Sequence, residues 1–171
     1  KRLEAMSLRL LDIIVAKREE ALLSETPASE FFDYLSEMFT EENRKMHFEF
    51  CYDEGTVWAE VNLIKTVLVN LIDNACKASE EGSTVRISGI RLDDGYQFEI
   101  ADEGIGIPKE EQNKITKAFY MVDKSRARSK NGAGLGLALC VEILKIHQSE
   151  LLIQSEQGKG SRIGFILGGM S

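Results

Sequence analysis

Hydrophobic positions change their spacing from segment to segment along the chain, and each spacing predicts an element. Apolar residues recur every three or four positions, as in an amphipathic helix, in residues 2–23, 29–39, 61–80 and 135–147. Apolar and polar residues follow the patterns of short strands in residues 47–52, 56–59, 84–92, 96–101, 151–155 and 161–167. Because helices and strand pairs are mixed, we expect an α+β fold whose mostly antiparallel sheet is covered by helices on one face.

Two segments stand apart from this order. Residues 2–23 form a predicted helix whose apolar face needs a partner. Between residues 102 and 136 the periodic pattern is lost, and polar residues and glycines predominate. Such a stretch predicts a long mobile loop, and loops of this kind often carry function.

Composition excludes several classes of protein. The 171 residues include 21 basic and 28 acidic side chains, a net charge of -7, so we expect no nucleic-acid binding. No apolar stretch approaches the roughly 20 residues that cross a bilayer, and we expect no membrane contact. Three widely separated cysteines and two histidines predict a reduced, cytoplasmic environment without structural zinc. Because the first residue is Lys1, we interpret the chain as a fragment of a longer protein.

Three short motifs carry candidate chemistry. On the predicted helix 61–80, Asn70, Asn74 and Lys77 fall within one narrow polar stripe at the edge of the apolar face, where a pocket wall would lie. In residues 102–108 an acid ends a strand and two glycines allow the backbone to approach a flat ligand. A carboxylate there can accept the exocyclic amine of adenine.

The third motif, residues 131–137, is a run of glycines that leads directly into a predicted helix. Such a start exposes unpaired backbone N–H groups to an anion. No Gly-Lys-Ser/Thr follows the glycines, so the motif is not a Walker A loop. No strand precedes them, so the motif is not a dinucleotide-binding fingerprint.

In their order and separation, the three motifs resemble the N, G1 and G2 boxes of the Bergerat-type ATP-binding fold shared by sensor histidine kinases, gyrase, Hsp90-type chaperones and mismatch-repair ATPases. Phe119 and Tyr120 resemble the F box of histidine kinases, and residues 158–161 resemble the last glycine turn of the family. The resemblance covers about residues 30–167. It implies a two-layer sandwich with a mixed, mostly antiparallel sheet under helices, and ATP between the N-box helix and a lid at about residues 117–133.

Within this superfamily the sensor histidine kinases are the best match. Hydrolytic members have a glutamate where this chain has Asn70, and an amide cannot serve as a general base for water. Residues 123–128 resemble the lid of histidine kinases. Residues 3–22 look like the second helix of their dimerisation domain, so the implied division is the end of that helix in residues 1–24 and a catalytic domain in residues 25–171.

The resemblance also implies roles for individual residues. Asn74 would bind Mg²⁺, Asn70 would act as the catalytic residue that orients the metal and phosphates, and Asp102 would bind the adenine amine. The remaining ATP-binding residues would be Lys77, Gly106, Ile107, Tyr120, Lys124, Gly132, Gly134, Leu135, Gly136, Leu137 and Ser161.

The implied function is a protein histidine kinase domain that transfers the ATP γ-phosphoryl group to a histidine outside this chain, for relay to a response regulator receiver domain. The acceptor would lie on the dimerisation domain of the same protein, a homodimer in its full length. The acidic neighbour of an acceptor histidine is missing at His47 and His147, which we interpret as structural or surface residues. We therefore expect ATP binding without autophosphorylation by this chain alone.

Two alternatives stay open. The first is a stand-alone serine kinase of the anti-sigma-factor type, although such kinases usually keep the glutamate that Asn70 replaces. The second is a nucleotide-binding docking module without transfer activity. Met121 favours this second alternative, because many histidine kinases have an arginine at that place.

Overall fold

A computed structural model describes residues 23–115 and 136–168 of the chain. The predicted opening helix and the predicted lid lie outside these residues, as do Tyr120, Lys124, Gly132, Gly134 and Leu135. The elements in chain order are β1 (Ser24–Pro27), α1 (Ala28–Met38), α2 (Glu41–Arg44), β2 (His47–Tyr52), β3 (Thr56–Ala59), α3 (Val61–Ala78), β4 (Thr84–Leu92), β5 (Gly95–Asp102), a 3-10 turn (Lys109–Glu111), α4 (Gly136–Ile146), β6 (Leu152–Glu156) and β7 (Gly160–Gly168).

Five strands form one sheet in the order β2-β4-β5-β7-β6. The β2–β4 pair is parallel, and the other three pairs are antiparallel. Strands β1 and β3 pair separately as an antiparallel ribbon. The prediction of a mixed, mostly antiparallel sheet in an α+β fold is therefore confirmed.

One face of the five-stranded sheet is buried under helices. Phe98 of β5 is fully buried, and its ring centroid lies 5.6 Å from that of Phe31 in α1 and 5.3 Å from that of Phe165 in β7. The alternate positions on the other face include polar and charged residues, such as Arg86 of β4, which pairs with Glu49 of the edge strand β2. This alternation is what a one-sided antiparallel sheet requires.

Helices α3 and α4 run antiparallel beside each other. Gly136, the first residue of α4, lies beside the C-terminal half of α3. At the other end, His147, which directly follows α4, bonds to Glu60 just before α3. Between these ends the buried Cys140 Sγ lies 3.8 Å from the carbonyl oxygen of Val67. The two helices are therefore in contact from Gly136, at one end of α4, to His147, at the other.

The structure adds one strand that the spacing did not predict. Residues 24–27, interpreted as a break between helices, form β1 because residues 56–59 of β3 provide a partner. Ser24, the residue before the predicted domain boundary, pairs with Ala59 in this ribbon. In the described part of the chain, no helix is long and apolar enough to cross a membrane.

Candidate functional site

Asn70 and Asn74 lie one helical turn apart on α3 and share a face. The helix starts at Glu60, whose carboxylate Oε2 accepts a 2.8 Å hydrogen bond from the Leu63 N–H. Its apolar side, including Ile64, is buried in the core, whereas both asparagines are only half-buried. The two amides therefore lie at the open edge of a buried helix, as the stripe in the sequence predicted.

Gly136 brings the start of α4 against these two amides. A Cβ atom built on Gly136 would lie 3.7 Å from Asn70 Oδ1 and 3.9 Å from Asn74 Nδ2. The space between the main chain at Gly136 and the two amides is therefore about the width of one methyl group. The N-terminal end of an α-helix carries a positive dipole and backbone N–H groups that suit an anion. Leu137, the next residue, is half-buried.

The loop after β5 is attached to the end of α3. The Ile105 N–H donates a 3.1 Å hydrogen bond to the Ala78 carbonyl oxygen. A side chain at Gly104 would collide with that same carbonyl group. Ala78 follows Asn74 by four residues, or about 6 Å along the helix. Lys77 lies between them in the last turn of α3.

The same loop is also attached to the turn between β6 and β7. Gly106 has φ +69°, and a side chain there would collide with the Glu156 carbonyl oxygen. The Gly158 N–H donates a 2.7 Å hydrogen bond to the Ile105 carbonyl oxygen. Only glycine fits the positive φ at this close approach without strain. The loop is thus held from two sides, with Asp102 at its start.

Asp102 is a partly desolvated carboxylate. Burial raises its pKa above the usual range, while hydrogen bonds from the backbone N–H groups of Gly104 and Ser161 oppose this rise. The Gly104 bond to Oδ1 measures 2.9 Å. A carboxylate has about four acceptor positions. The acceptor positions of Asp102 that the two backbone N–H groups do not use favour a ligand that offers an N–H donor.

Two polar residues that sequence reasoning missed support this loop. The Ser155 hydroxyl oxygen accepts a 2.7 Å hydrogen bond from the Ile107 N–H and lies 2.7 Å from the Ser161 hydroxyl oxygen. Gln112 Nε2 donates to the carbonyl oxygens of Ile107 (3.0 Å) and Ser155 (2.9 Å). Ser161 is buried within this network. A polar residue on the inner side of β6 was the available signal for Ser155.

Cys140 was not predicted to contribute to the site either. It follows Gly136 by four residues, so it faces the same side of α4. Burial raises the pKa of its thiol to about 12, and a hydrogen bond with the Asn70 side chain opposes that rise. Cys140 therefore stays a neutral thiol that contacts the Asn70 amide from within the core.

The described residues also form an open groove of about 680 Å³, mainly on the sheet face away from the helices. Asp102 and Ser161 lie at one end of this groove, and most of its lining is exposed sheet surface. Its charged residues have both signs, including Arg86, Arg162 and Glu49. These charges are not arranged around one type of ligand.

Residues 59–168 match the family described as histidine kinase-, DNA gyrase B-, and HSP90-like ATPase. The chain belongs to this family. The match covers the helix with both asparagines, the loop after Asp102 and the start of α4. It confirms the assignment made from the three motifs, and it makes ATP the ligand class of this domain.

Individual relatives point to one branch of the family. The chain is 39% identical over 129 residues to the adaptive-response sensory kinase SasA of Thermosynechococcus vestitus, covering 74% of this chain and 33% of SasA. It is 37% identical over 134 residues to the sensor histidine kinase WalK of Bacillus subtilis, covering 74% of this chain and 22% of WalK. The chain thus spans about a third or less of these two relatives. Both are sensor kinases, which does not favour the serine kinase alternative.

A solved structure supports the fold. The mycobacterial sensor histidine kinase MprB superposes with a TM-score of 0.73 at 24% identity, covering 86% of this chain and 98% of that structure. At this identity the likeness is evidence for the fold alone. It confirms the sheet under helices that the motifs implied.

Proposed function

We propose that this chain is the ATP-binding catalytic domain of a sensor histidine kinase, which transfers the γ-phosphoryl group of Mg²⁺-bound ATP to a histidine on a dimerisation domain. A response regulator receiver domain would then take the phosphoryl group, and the full-length protein would act as a homodimer. The single observation that carries the proposal is the approach of Gly136 to Asn70 and Asn74. This contact supports the proposal, because the N-terminal end of a helix, which can bind an anion, lies beside two amides that are suited to a metal–phosphate group.

The adenine would bind at the loop after β5. Asp102 offers desolvated acceptor positions to the exocyclic amine of the base. Gly106 and Ile107 would line the base, because the hydrogen bonds of Ser155 and Gln112 hold this part of the loop in place. Such fixed acceptors give specificity for adenine over guanine, whose corresponding position is a carbonyl oxygen.

The residues at Gly136 fit Mg²⁺ carried by a nucleotide. Mg²⁺ prefers oxygen ligands and usually keeps several waters, with further ligands from substrate phosphates. Amide oxygens of Asn74 and Asn70 could supply one or two such ligands. Among the described residues there is no cluster of three His, Cys, Asp or Glu side chains for a metal. When bound, the ion would neutralise charge on the phosphates.

In this proposal, the chain contributes to phosphoryl transfer by positioning the phosphates and stabilising their charge. Phosphoryl transfer needs little covalent work by the protein. The N–H groups at the start of α4 would stabilise the phosphate charge, and Lys77 would add a cation near the same end of α3. The Asn70 amide would orient phosphates but could not remove a proton from water. Transfer to a histidine is therefore favoured over hydrolysis.

Nucleotide binding is tested by calorimetric titration of the 171-residue chain with Mg²⁺-ATP, Mg²⁺-ADP and Mg²⁺-GTP. We expect binding of the two adenine nucleotides and not of GTP. Asn74→Ala should lose the dependence of ATP affinity on Mg²⁺. Asn62→Ala, an exposed asparagine near the start of α3, is the matched control and should bind as the wild type. No binding of any nucleotide by the folded chain would contradict the proposal.

Transfer is tested by adding γ-labelled ATP and a separately purified histidine-bearing dimerisation segment of the parent protein. Phosphohistidine is labile in acid and stable in alkali, whereas phosphoserine is stable in acid. We expect acid-labile label on the added segment, which then moves to the receiver domain. Acid-stable label would support the serine kinase alternative. ATP binding without any label on the segment would support a docking module.

A further inference from the structure

His147 is a buried polar residue that the proposed chemistry does not use. It follows the last residue of α4, and only 7% of its surface is exposed. Its Nδ1 lies 2.8 Å from the Ile143 carbonyl oxygen, and its Nε2 lies 3.0 Å from the Glu60 backbone nitrogen. A carbonyl oxygen only accepts and a backbone N–H only donates. Nδ1 must therefore hold the proton, and Nε2 accepts from Glu60.

The two bonds of His147 have different effects. The Nδ1–H bond to Ile143 stays within the last turn of α4. The Nε2 bond joins α4 to the residue that caps α3, since the Glu60 carboxylate accepts from the Leu63 N–H. Of these two hydrogen bonds, only the one at Nε2 connects α4 to α3.

The hydrogen bond between His147 and Glu60 lies at about the same distance from the candidate site along both helices. From Glu60 to Asn70 is ten residues of α3, about 15 Å. From His147 back to Gly136 is eleven residues, about 16 Å along the antiparallel α4. A shift of α4 by one residue would move Gly136 about 1.5 Å along Asn70 and Asn74. The contact at His147 and the contact at Gly136 therefore both depend on the same position of α4 along α3.

We propose that His147 is a positioning residue for the nucleotide site, holding α4 in the register that places Gly136 against Asn70 and Asn74. The inference rests on the function proposed above, because it names what holds the phosphate end of that site. It requires a neutral imidazole, since a protonated Nε2 cannot accept from the Glu60 N–H. Burial lowers the pKa of His147 and keeps it neutral, against the charge of the facing Glu60. On α4 itself, Glu142 and Lys145 pair with each other.

Two substitutions separate the two bonds. In His147→Gln, an amide oxygen can take the place of Nε2 and accept from the Glu60 N–H. In His147→Asn, the shorter amide can replace only Nδ1 and donate to Ile143. We expect His147→Gln to bind Mg²⁺-ATP within about twofold of the wild type, and His147→Asn to bind about three- to tenfold more weakly, as expected for one lost hydrogen bond.

Tyr96→Phe is the control for general loss of stability. It removes a 2.7 Å hydrogen bond from the Tyr96 hydroxyl to the Asp53 carbonyl oxygen, at the opposite end of β5 from Asp102. It should lower the melting temperature and leave Mg²⁺-ATP affinity unchanged. Wild-type affinity in His147→Asn, or equal weakening in Tyr96→Phe and His147→Asn, would overturn the positioning role.

A titration of the wild type keeps the inference testable if the variants do not fold. Binding linkage is reciprocal, so a nucleotide that prefers neutral His147 must lower the pKa of that imidazole further. The imidazole proton signals are followed by NMR with and without Mg²⁺-ATP, and His47→Gln assigns the two histidines of the chain. An unchanged pKa in a chain that binds ATP would remove this inference alone. Absence of ATP binding would remove the proposed function and the inference with it.

Discussion

The Ile105 N–H donates a 3.1 Å hydrogen bond to the carbonyl oxygen of Ala78. This bond ties the loop that begins at Asp102 to the last turn of the helix that bears Asn74. The candidate adenine and phosphate ends of the site therefore share one rigid element, α3. Substitutions at either end should change binding in ways that stability alone does not explain.

Asp102→Asn should separate binding from stability. Burial disfavours the ionised carboxylate, so the folded state holds this proton more tightly than the unfolded state. The contribution of Asp102 to stability therefore falls as pH rises from about 4, the usual aspartate pKa, through the raised pKa. Relative to Asp102→Asn, the wild type should lose stability across this window in urea unfolding.

The same variant should weaken ATP binding about tenfold or more, because a charged acceptor is replaced by a neutral one. Calorimetric titration at pH 7 measures this loss, and circular dichroism checks that the fold is kept. A variant that is less stable than the wild type and binds ATP equally well would contradict both the desolvation of Asp102 and its role at the base.

Gly136→Ala should stabilise the protein and weaken ATP binding. Among the described residues, the nearest neighbour of an added methyl group would be Asn70 Oδ1 at 3.7 Å, which is an ordinary contact, and alanine is the better helix former. We expect a gain of about 0.5–1 kcal/mol in unfolding free energy. Yet the methyl group fills the gap between α4 and the amides, so Mg²⁺-ATP affinity should fall about tenfold.

Thermal unfolding and nucleotide titration of Gly136→Ala test the two effects together. Lys145→Ala, at an exposed position in the last turn of α4, serves as the control and should leave affinity unchanged. Unchanged affinity in Gly136→Ala would show that phosphates do not approach this helix start.

Gly106→Ala and Gly158→Ala should differ in cost although both glycines have positive φ. Gly158 has φ +85°, and no described residue lies within 4 Å of an added Cβ, so its substitution should cost about 1 kcal/mol. At Gly106 the added Cβ also collides with the Glu156 carbonyl oxygen, and the cost should be clearly larger. Urea unfolding of both variants measures the difference. Equal costs would show that the loop can move away from β6.

Ser155→Ala should loosen the loop under the base. It removes the partner of the Ile107 N–H and one contact of the Ser161 hydroxyl, so we expect a loss of about 1–2 kcal/mol in unfolding free energy. ATP affinity should fall several-fold with it. Ser36→Ala, an exposed helix hydroxyl, should change stability by less than about 0.5 kcal/mol. Similar losses in both variants would argue against a supporting role for Ser155.

Much of the fold could be predicted from hydrophobic spacing. In strands β2, β3 and β4, more buried and more exposed positions alternate, as they do when one face of a sheet is buried. The stripe of Asn70 and Asn74 was equally visible, since helical period depends only on local sequence. Strand β1 could not be predicted in this way, because its four residues show no clear alternation and form a strand only by pairing with β3.

The contacts that complete the site were also beyond local pattern. Ser155 and His147 act on Ile107 and Glu60, which lie 48 and 87 residues away in sequence. A polar residue on the inner side of a strand or at the buried end of a helix signals that some partner exists. Which partner it is depends on tertiary packing, which the spacing of one segment does not contain.

The most direct test of the central claim follows backbone amide signals by NMR while Mg²⁺-ADP is added. If the three motifs form one nucleotide site, the amides of Gly104, Ile107 and Gly136 should shift together with a single dissociation constant. The amide of Glu49, which lines the outer groove on the edge strand β2, should stay in place. Shifts confined to the outer groove, or different dissociation constants for Gly104 and Gly136, would contradict the claim.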